Sequence, residues 1–271
     1  MYDLKDFQSE DARIAFLDEG AGEPVLLIHG FGCNTEINWI EPGWVDALLE
    51  AGHRVIAPDC RGHGASEKLY GLSDYSTPIM AEDVRRLLDH LDIEAANIFG
   101  YSMGARIAAF VGVAHPDRVS RIVFGGLGIN MLRRMIANGP IARSLEVRRA
   151  DEVLNTAVRS FREFAEECGS DLRALAACLR STRETITQDM LQSITMPAFV
   201  VCGSEDVFSG SPEKLAEILP RARALEIPDA THQEALRRPI YKQAVLGFLR
   251  DSHEMQGAAG DPIEPLPAAR L

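Results

Sequence analysis

The pentapeptide Gly100-Tyr101-Ser102-Met103-Gly104 restricts the possible folds of this chain more than any other stretch of its sequence. It follows the mostly apolar run 95–99 and precedes a segment rich in alanine and glycine. This order predicts a buried strand, a tight turn and a helix that packs closely on a sheet. Such a turn holds its serine in strained backbone angles, and glycines two residues to either side leave room for it. We therefore expect the Ser102 hydroxyl to stand clear of the sheet, where it can act as a nucleophile.

The composition is that of a soluble globular chain of 271 residues, of which 46% are hydrophobic and 25% charged. The formal net charge of -12 argues against nucleic acid or an anionic membrane as a partner. The first residues do not resemble a secretory signal, and no apolar run approaches the roughly 20 residues that span a bilayer. Five cysteines without a Cys-x-x-Cys pair predict free thiols in a cytoplasmic protein. The sequence leaves the oligomeric state open.

Strand-like and helical segments alternate along most of the chain. The alternation predicts an α/β fold with a mostly parallel central sheet of about eight strands, flanked by helices and carrying a small helical cap. We assign residues 1–126 and 196–253 to the core domain, 127–195 to the cap and 254–271 to a disordered tail. The predicted strands cover 4–8, 13–17, 25–28, 53–57, 95–99, 121–124, 198–202 and 224–227. The predicted core helices cover 77–91, 212–219 and 240–249, besides the helix after Ser102. Two more helices are expected in the cap, the first with Asp151 near its start as the capping residue.

A serine hydroxyl is a weak nucleophile at neutral pH, so Ser102 needs a general base that an acid holds in place. In proteins with a tight serine turn of this kind between a strand and a helix, here called the elbow, the serine, the acid and the histidine follow one another along the chain. Of the histidines after Ser102, His232 lies in a loop that leaves a late predicted strand, and we assign it as the base. Asp206 follows the preceding predicted strand and is the predicted acid, with Glu205 as the alternative.

An acyl-transfer reaction also needs hydrogen-bond donors for the oxyanion. We assign the backbone N–H groups of Met103, in the elbow, and of Phe31, which lies between glycines in the loop after the third strand. His29 in that loop is expected to hold the loop by a ring hydrogen bond. Asp59 and Arg61, in another glycine-rich turn, are expected to form a structural ion pair rather than a metal or thiol site. The glycine-rich stretches match neither a P-loop nor a dinucleotide motif, so the sequence implies no cofactor and no metal.

Taken in chain order, these motifs resemble those of the α/β-hydrolase superfamily, and within it those of small bacterial serine esterases and lactonases. The likeness extends over about residues 5–250. The matching stretches are His29-Gly30-Phe31-Gly32, Asp59-Cys60-Arg61-Gly62-His63-Gly64, the pentapeptide around Ser102, Gly203-Ser204-Glu205-Asp206 and His232. One position departs from the family, which often has glycine where this chain has Ala105.

The resemblance implies a serine hydrolase (EC 3.1.1) that cleaves carboxylic esters or lactones through an acyl-enzyme. Haloalkane dehalogenases and epoxide hydrolases of the superfamily carry aspartate at the position of Ser102, which argues against those activities. The elbow and the cap together predict an apolar pocket for a small or medium acyl group. The candidate substrate-binding residues are Tyr101, Met131, Met135, Phe161 and Phe164.

Two other functions are compatible with the same motifs. One is a carbon–carbon bond hydrolase, which would bind a dienoate carboxylate through cap arginines such as Arg133, Arg134 or Arg143. The other is a ligand-sensing protein of this fold, which would keep the triad but turn over slowly. The expected partner is in each case a small molecule.

Overall fold

The computed structural model describes residues 2–133, 139–181 and 184–250. In these ranges the chain forms an eight-stranded sheet with helices packed on both faces. The strands are β1 (Lys5–Ser9), β2 (Ala12–Glu19), β3 (Pro24–Ile28), β4 (Arg54–Pro58), β5 (Ala96–Tyr101), β6 (Val119–Gly125), β7 (Ala198–Gly203) and β8 (Ala222–Ile227). The helices are α1 (Trp44–Glu50), α2 (Thr77–His90), α3 (Met103–Ala114), α4 (Pro140–Ser144), α5 (Thr156–Glu167), α6 (Leu172–Arg180), α7 (Gln188–Gln192), α8 (Pro212–Ala216) and α9 (Pro239–Arg250).

The strands lie in the order β1-β2-β4-β3-β5-β6-β7-β8. The pairs β1–β2 and β2–β4 are antiparallel, and every pair from β4 to β8 is parallel. All residues of β5 and β7 are buried, as expected where helices cover both faces of a parallel sheet. The predicted fold class, a mostly parallel sheet flanked by helices, is confirmed.

An aromatic cluster anchors the central strand β5 on one face of the sheet. The ring of Phe99 lies 4.8 Å from that of Trp39 and 5.0 Å from that of Trp44, and Trp44 lies 5.4 Å from Tyr241 of α9. Trp39, Trp44, Phe99 and Tyr241 are fully buried. Because Phe99 precedes the pentapeptide directly, this packing holds rigid the strand from which the elbow projects.

The predicted element boundaries agree closely with the structure. Every predicted strand is present, and each of its ends lies within two residues of the predicted position. The helix α8 is shorter than predicted, because it ends at Ala216. Asp151 does not cap the first long cap helix, since it lies in a separate short turn, and the side chain of Asn155 instead accepts the hydrogen bond from Val158 N at 3.1 Å. An N-cap residue has to precede the first helical turn directly, which Asn155 does and Asp151 does not.

Two helical segments between β3 and β4 were not predicted. They are a π-helical turn, Glu36–Ile40, and α1, which begins after Gly43 in a left-handed conformation (φ +73°). Both are too short to show a helical repeat of apolar residues, although they bury Trp39 and Trp44 completely.

Helices α4 to α7 lie between β6 and β7, within the range assigned to the cap. Leu145, Ala165 and Leu175 form a small buried cluster there, and Phe31 of the core packs against it. The cap therefore contacts the loop that follows β3. No helix among the described residues combines the length and the apolar character that a membrane span requires. The predicted tail, 254–271, lies outside the described residues.

Candidate active site

Ser102 occupies a strained turn between β5 and α3. Its backbone angles are φ +56° and ψ −108°, and its N–H donates to Gly125 O at 2.8 Å. Neither flanking glycine tolerates a side chain. A Cβ on Gly100 would lie 2.2 Å from Gly104 O, and one on Gly104 would lie 2.0 Å from Ile28 O. The positive φ of a serine is a conformation that costs on the order of 1–3 kcal/mol and is typical of functional sites.

His232 and Asp206 form a directly hydrogen-bonded pair. The distance from His232 Nδ1 to Asp206 Oδ2 is 2.6 Å, and the Asp206 side chain is completely shielded from solvent. The other carboxylate oxygen of Asp206 accepts the N–H groups of Phe208 at 2.9 Å and Ser209 at 3.1 Å. Because Nδ1 donates to the carboxylate, Nε2 is left as the acceptor nitrogen of the ring. Glu205, the alternative acid, is exposed.

The glycine pair at the end of β6 brings the serine and the histidine to the same edge of the sheet. Gly125 O accepts the N–H of Ser102, and the N–H of Gly126 donates to Val201 O of β7 at 2.9 Å. A Cβ on Gly126 would lie 3.0 Å from His232 Cε1. Ser102 and His232 therefore pack against adjacent residues of one turn, at the carboxyl ends of the parallel strands where α/β sheets bind ligands.

Tyr101, which we predicted as a substrate-binding residue, is buried and packs against His232. Its side chain is 4% exposed, its ring centroid lies 5.3 Å from that of His232, and its hydroxyl donates to the His232 carbonyl. Burial raises the pKa of the Tyr101 phenol well above its usual value, so the hydroxyl keeps its proton and remains a donor. The residue before the nucleophile points into the core because side chains alternate between the two faces of a strand.

The loop after β3 approaches the nucleophile from the other side. A Cβ on Gly30 would lie 3.5 Å from Ser102 Cβ, and the N–H of Gly30 donates to Asn38 Oδ1 at 2.9 Å. Asn38 is 4% exposed and belongs to the π-helical turn. It orients the backbone just before Phe31, whose N–H we predicted as an oxyanion donor. Asn38 could not be predicted from the sequence, because an asparagine eight residues beyond the glycine has no local signature.

His29 has the structural role predicted for it. Its Nδ1–H donates to Gly30 O at 2.8 Å, and its Nε2 accepts the N–H of Cys60 at 2.9 Å. The ring is fully buried, which lowers its pKa and keeps it neutral. His29 thus joins the loop after β3 to the loop after β4.

The ion pair expected between Asp59 and Arg61 does not form, and that prediction is wrong. Arg61 instead pairs with Asp83 of α2 through two hydrogen bonds of 2.7 and 2.8 Å. Asp59 accepts the backbone N–H groups of Thr35 and Ala65, each at 2.7 Å. The tight turn directs the two neighbouring side chains apart, and α2 supplies a carboxylate from a distant part of the sequence. Within the described ranges no group of three His, Cys, Asp or Glu side chains is arranged to hold a metal ion.

Phe161 is the predicted pocket residue that contacts the loop after β3. Its ring stacks on Phe31 with centroids 5.6 Å apart and planes inclined by 14°. On its other side Phe31 meets the edge of His63 at 5.5 Å. The cap helix α5 and the loop after β3 therefore share an apolar contact, one residue beyond the point where Gly30 approaches Ser102.

The other predicted pocket residues stay predictions. Met131 is completely buried in the core cluster that contains α3, and Phe164 is half-buried on α5. Met135 lies outside the described residues. Of the arginines considered for carboxylate binding, Arg133 and Arg143 are exposed, and Arg134 lies outside the described residues.

Comparison with known proteins gives the family. The sequence profile described as "alpha/beta hydrolase fold" matches residues 23–166, more than half of the chain. The chain belongs to the α/β-hydrolase family. The match includes the loop after β3, the elbow and the start of the cap of this α/β-hydrolase.

Several known proteins are similar along most of this α/β-hydrolase. A Mycobacterium tuberculosis protein that carries the name non-heme bromoperoxidase BpoC is 30% identical over 252 residues, which cover 84% of this chain and 93% of the relative. The enol-lactonase from Burkholderia xenovorans LB400 superposes with a TM-score of 0.73 at 24% identity, covering 90% of this chain and 99% of its own. An esterase from Exiguobacterium antarcticum gives a TM-score of 0.76 at 20% identity, covering 90% and 98%. At these identities the two solved structures show a common fold and not a common substrate.

Proposed function

We propose that this α/β-hydrolase is a serine hydrolase (EC 3.1.1) that cleaves carboxylic ester or lactone bonds of small to medium apolar substrates. The observation that carries the proposal is the 2.6 Å hydrogen bond between His232 Nδ1 and Asp206 Oδ2, beside an elbow that holds Ser102 at φ +56°. A nucleophile, a base and an orienting acid at one edge of the sheet are the parts that acyl transfer requires.

Each member of the triad has a separate task. Ser102 Oγ attacks the substrate carbonyl while His232 Nε2 accepts its proton. Asp206 holds the imidazole in the tautomer that leaves Nε2 free to do so, and its negative charge stabilises the imidazolium. His232 then returns the proton to the departing alcohol oxygen, which leaves an acyl-Ser102 ester. A water molecule deprotonated by His232 attacks that ester and restores the enzyme.

The oxyanion is stabilised by two backbone donors. Met103 is the first residue of α3, where N–H groups have no acceptor within the helix and the helix dipole favours negative charge. Phe31 follows Gly30, whose N–H donates a hydrogen bond to Asn38. This bond restrains the backbone from which the Phe31 N–H would donate to the oxyanion. Loss of one such donor typically lowers kcat by about 10²–10³.

The stacked pair of Phe31 and Phe161 supports an apolar acyl group as the substrate. Their rings form an apolar contact between the cap and the loop after β3, and the same loop passes beside Ser102 at Gly30, where a Cβ would lie 3.5 Å from Ser102 Cβ. An apolar surface of this kind recognises hydrocarbon by its area and shape, and the catalytic groups recognise the carbonyl. Acyl size is therefore the property on which this site selects.

The test is the hydrolysis of p-nitrophenyl esters from acetyl to dodecanoyl by the wild type and by Ser102→Ala. Turnover that has an optimum at one acyl length and is lost in Ser102→Ala supports the proposal. Ser193→Ala is the matched control, because Ser193 is exposed at the end of α7, and it should retain full activity. A Ser102→Ala variant that hydrolyses the esters at the wild-type rate would overturn the scheme.

A second readout does not depend on the choice of ester. A fluorophosphonate probe should phosphonylate wild-type protein on the peptide that contains Ser102, and peptide mass spectrometry identifies the site. Labelling at Ser102 without turnover of any ester would favour the ligand-sensing function over the enzyme. Absence of labelling would contradict an activated serine altogether.

A further inference from the structure

Two cysteines meet where the cap contacts the loop after β3 that carries Phe31, here called the oxyanion loop. Cys33 ends the turn that begins at Gly30, with its N–H donating to Gly30 O at 3.2 Å. Cys168 is the C-cap residue of α5. The two half-buried side chains face each other across the boundary between cap and core.

Contacts that do not involve sulfur hold the same two segments together. The hydroxyl of Ser170, two residues after Cys168, donates to Gly32 O at 3.1 Å. A Cβ on Gly32 would lie 3.7 Å from Phe161 Cζ, so α5 passes directly over the residue before Cys33. The contacts of Gly32 with Ser170 and Phe161 therefore hold the segments that carry Cys33 and Cys168 next to each other.

The five thiols of the protein differ in reactivity. Cys60, Cys178 and Cys202 are buried, and burial raises the pKa of the Cys60 thiol well above its usual value and that of Cys202 to about 12. Cys33 and Cys168 are instead partly exposed, and the neighbouring Cys33 side chain lowers the pKa of the Cys168 thiol. An oxidant therefore reaches these two thiols more readily than the three buried ones, and the lowered pKa favours Cys168 as the attacking thiolate.

We propose that Cys33 and Cys168 form a peroxide-sensitive pair that closes to a disulfide and ties the oxyanion loop to the cap. The Cys168 thiolate attacks one peroxide oxygen, the O–O bond breaks, and water leaves after protonation, which gives a sulfenic acid. The Cys33 sulfur then attacks the sulfenic sulfur, the S–O bond breaks and a second water leaves. Two thiols are oxidised by two electrons in total and one hydrogen peroxide is reduced to two waters. A dithiol reductant reverses the reaction by thiol exchange.

The cross-link acts on the site that binds the acyl group, and this consequence rests on the proposed esterase function. Phe31 and Phe161 are stacked between the two cysteine-bearing segments, so a disulfide prevents α5 from moving away from the loop. Long acyl groups have to separate these rings more than an acetyl group does. Oxidation should therefore lower the turnover of dodecanoyl esters several-fold and leave the turnover of acetyl esters nearly unchanged.

The cross-link itself is tested without any substrate. The full chain is treated with equimolar hydrogen peroxide, free thiols are blocked with N-ethylmaleimide, and unreduced peptides are analysed by mass spectrometry. The expected product is a pair of peptides joined through Cys33 and Cys168, lighter by about 2 Da than the two thiol peptides together. Dithiothreitol should separate them again.

Three variants serve as controls. Cys33→Ser and Cys168→Ser should each abolish the linked peptide, whereas Cys178→Ala should leave it unchanged because Cys178 is buried in α6. Sulfinic or sulfonic acid at Cys168 without a linked peptide would overturn the proposal, and so would a disulfide-linked dimer on a non-reducing gel. These readouts do not require esterase activity, so a failure of the proposed function leaves them valid.

The effect on turnover is measured separately with oxidised and reduced protein on the ester series. A loss of turnover that is confined to long acyl chains, reversed by dithiothreitol and absent in Cys168→Ser supports the clamp, by which we mean that the disulfide holds α5 against the oxyanion loop. An equal loss in Cys168→Ser would assign the effect to another residue. An unchanged acyl-length profile in fully cross-linked protein would refute the clamp while leaving the disulfide established.

Discussion

The Tyr101 hydroxyl donates a hydrogen bond to the backbone carbonyl of His232, so the residue before Ser102 supports the loop that carries His232. We expect the buried phenol to be a positioning residue, because it would affect the reaction only by holding the imidazole of His232 in position. Gly126 allows Tyr101 and His232 to pack this closely, because a Cβ there would lie 2.8 Å from Tyr101 Cζ and 3.0 Å from His232 Cε1. The serine and its base are thus positioned by the same strand.

Tyr101→Phe should lower kcat for ester hydrolysis by about 5- to 10-fold, with KM nearly unchanged. The variant removes one hydrogen bond, worth about 1 kcal/mol, and leaves the His232 carbonyl without its buried donor. The pH–rate profile should shift as well, because a looser His232 loses part of its contact with Asp206. Tyr70→Phe is the control, since Tyr70 is half-exposed and bonded to Asp171 on the surface. Equal effects of the two variants would contradict a positioning role for Tyr101.

Asp206→Asn should lower kcat by about 10⁴, without a comparable loss of stability. An amide at this position favours the wrong imidazole tautomer, with the proton on Nε2, so His232 cannot accept the serine proton. The measurement is kcat with the preferred p-nitrophenyl ester, alongside thermal unfolding of the same sample. Glu205→Gln, at the exposed neighbouring residue, should retain activity, and the reverse order of effects would make Glu205 the acid.

Gly104→Ala should destabilise the fold by about 3 kcal/mol or more, because its Cβ would lie 2.0 Å from the backbone oxygen of Ile28. That oxygen belongs to β3 and cannot move without disturbing the sheet. The control is Gly247→Ala in α9, where a Cβ meets nothing within 4 Å. Gly247→Ala should stabilise the protein by about 0.5–1 kcal/mol, since alanine favours a helix over glycine. Urea unfolding measures both values, and a neutral Gly104→Ala would refute the close packing of elbow and sheet.

Asp83→Asn should cost about 3 kcal/mol of unfolding free energy, because the buried Arg61 loses the carboxylate that accepts two of its hydrogen bonds and keeps the Asp74 carbonyl and the exposed Asp11 carboxylate. The Arg61 side chain is 1% exposed and that of Asp83 is 9% exposed, so water cannot replace the lost carboxylate. Asp151→Asn removes an exposed pair with Arg149 and should change stability by less than about 0.5 kcal/mol. Urea denaturation of both variants checks the difference, which would vanish if Arg61 found another acceptor.

Phe161→Ala should move the acyl-length optimum toward longer esters, because the cavity left by the ring extends the pocket beside Phe31. The loss of the stacked pair should also lower the unfolding free energy by roughly 0.5–1.5 kcal/mol beyond the loss of buried area. Phe164→Ala, on the same helix and half-buried, is the control and should leave the optimum in place. A shift caused by Phe164→Ala alone would relocate the acyl pocket along α5.

Much of the sheet could be predicted because its signals are local. Buried parallel strands are short apolar runs, and every one of them lies within two residues of its predicted position. The short segments Glu36–Ile40 and Trp44–Glu50 could not be predicted in the same way, because a helix of one or two turns shows no period. Their stability comes from packing Trp39 and Trp44 into the core, which is a tertiary effect.

The sequence by itself determined the elbow, the order of Ser102, Asp206 and His232 along the chain, and the strands that bring them to one edge of the sheet. These features depend on steric limits of single turns and on apolar runs within a few residues, so they can be recognised without the fold. Only the tertiary structure decided that Tyr101 supports His232, that Arg61 pairs with Asp83 and that Cys33 faces Cys168. Each of these contacts joins residues far apart in the chain, and their meeting depends on how helices and loops pack, which no local pattern encodes.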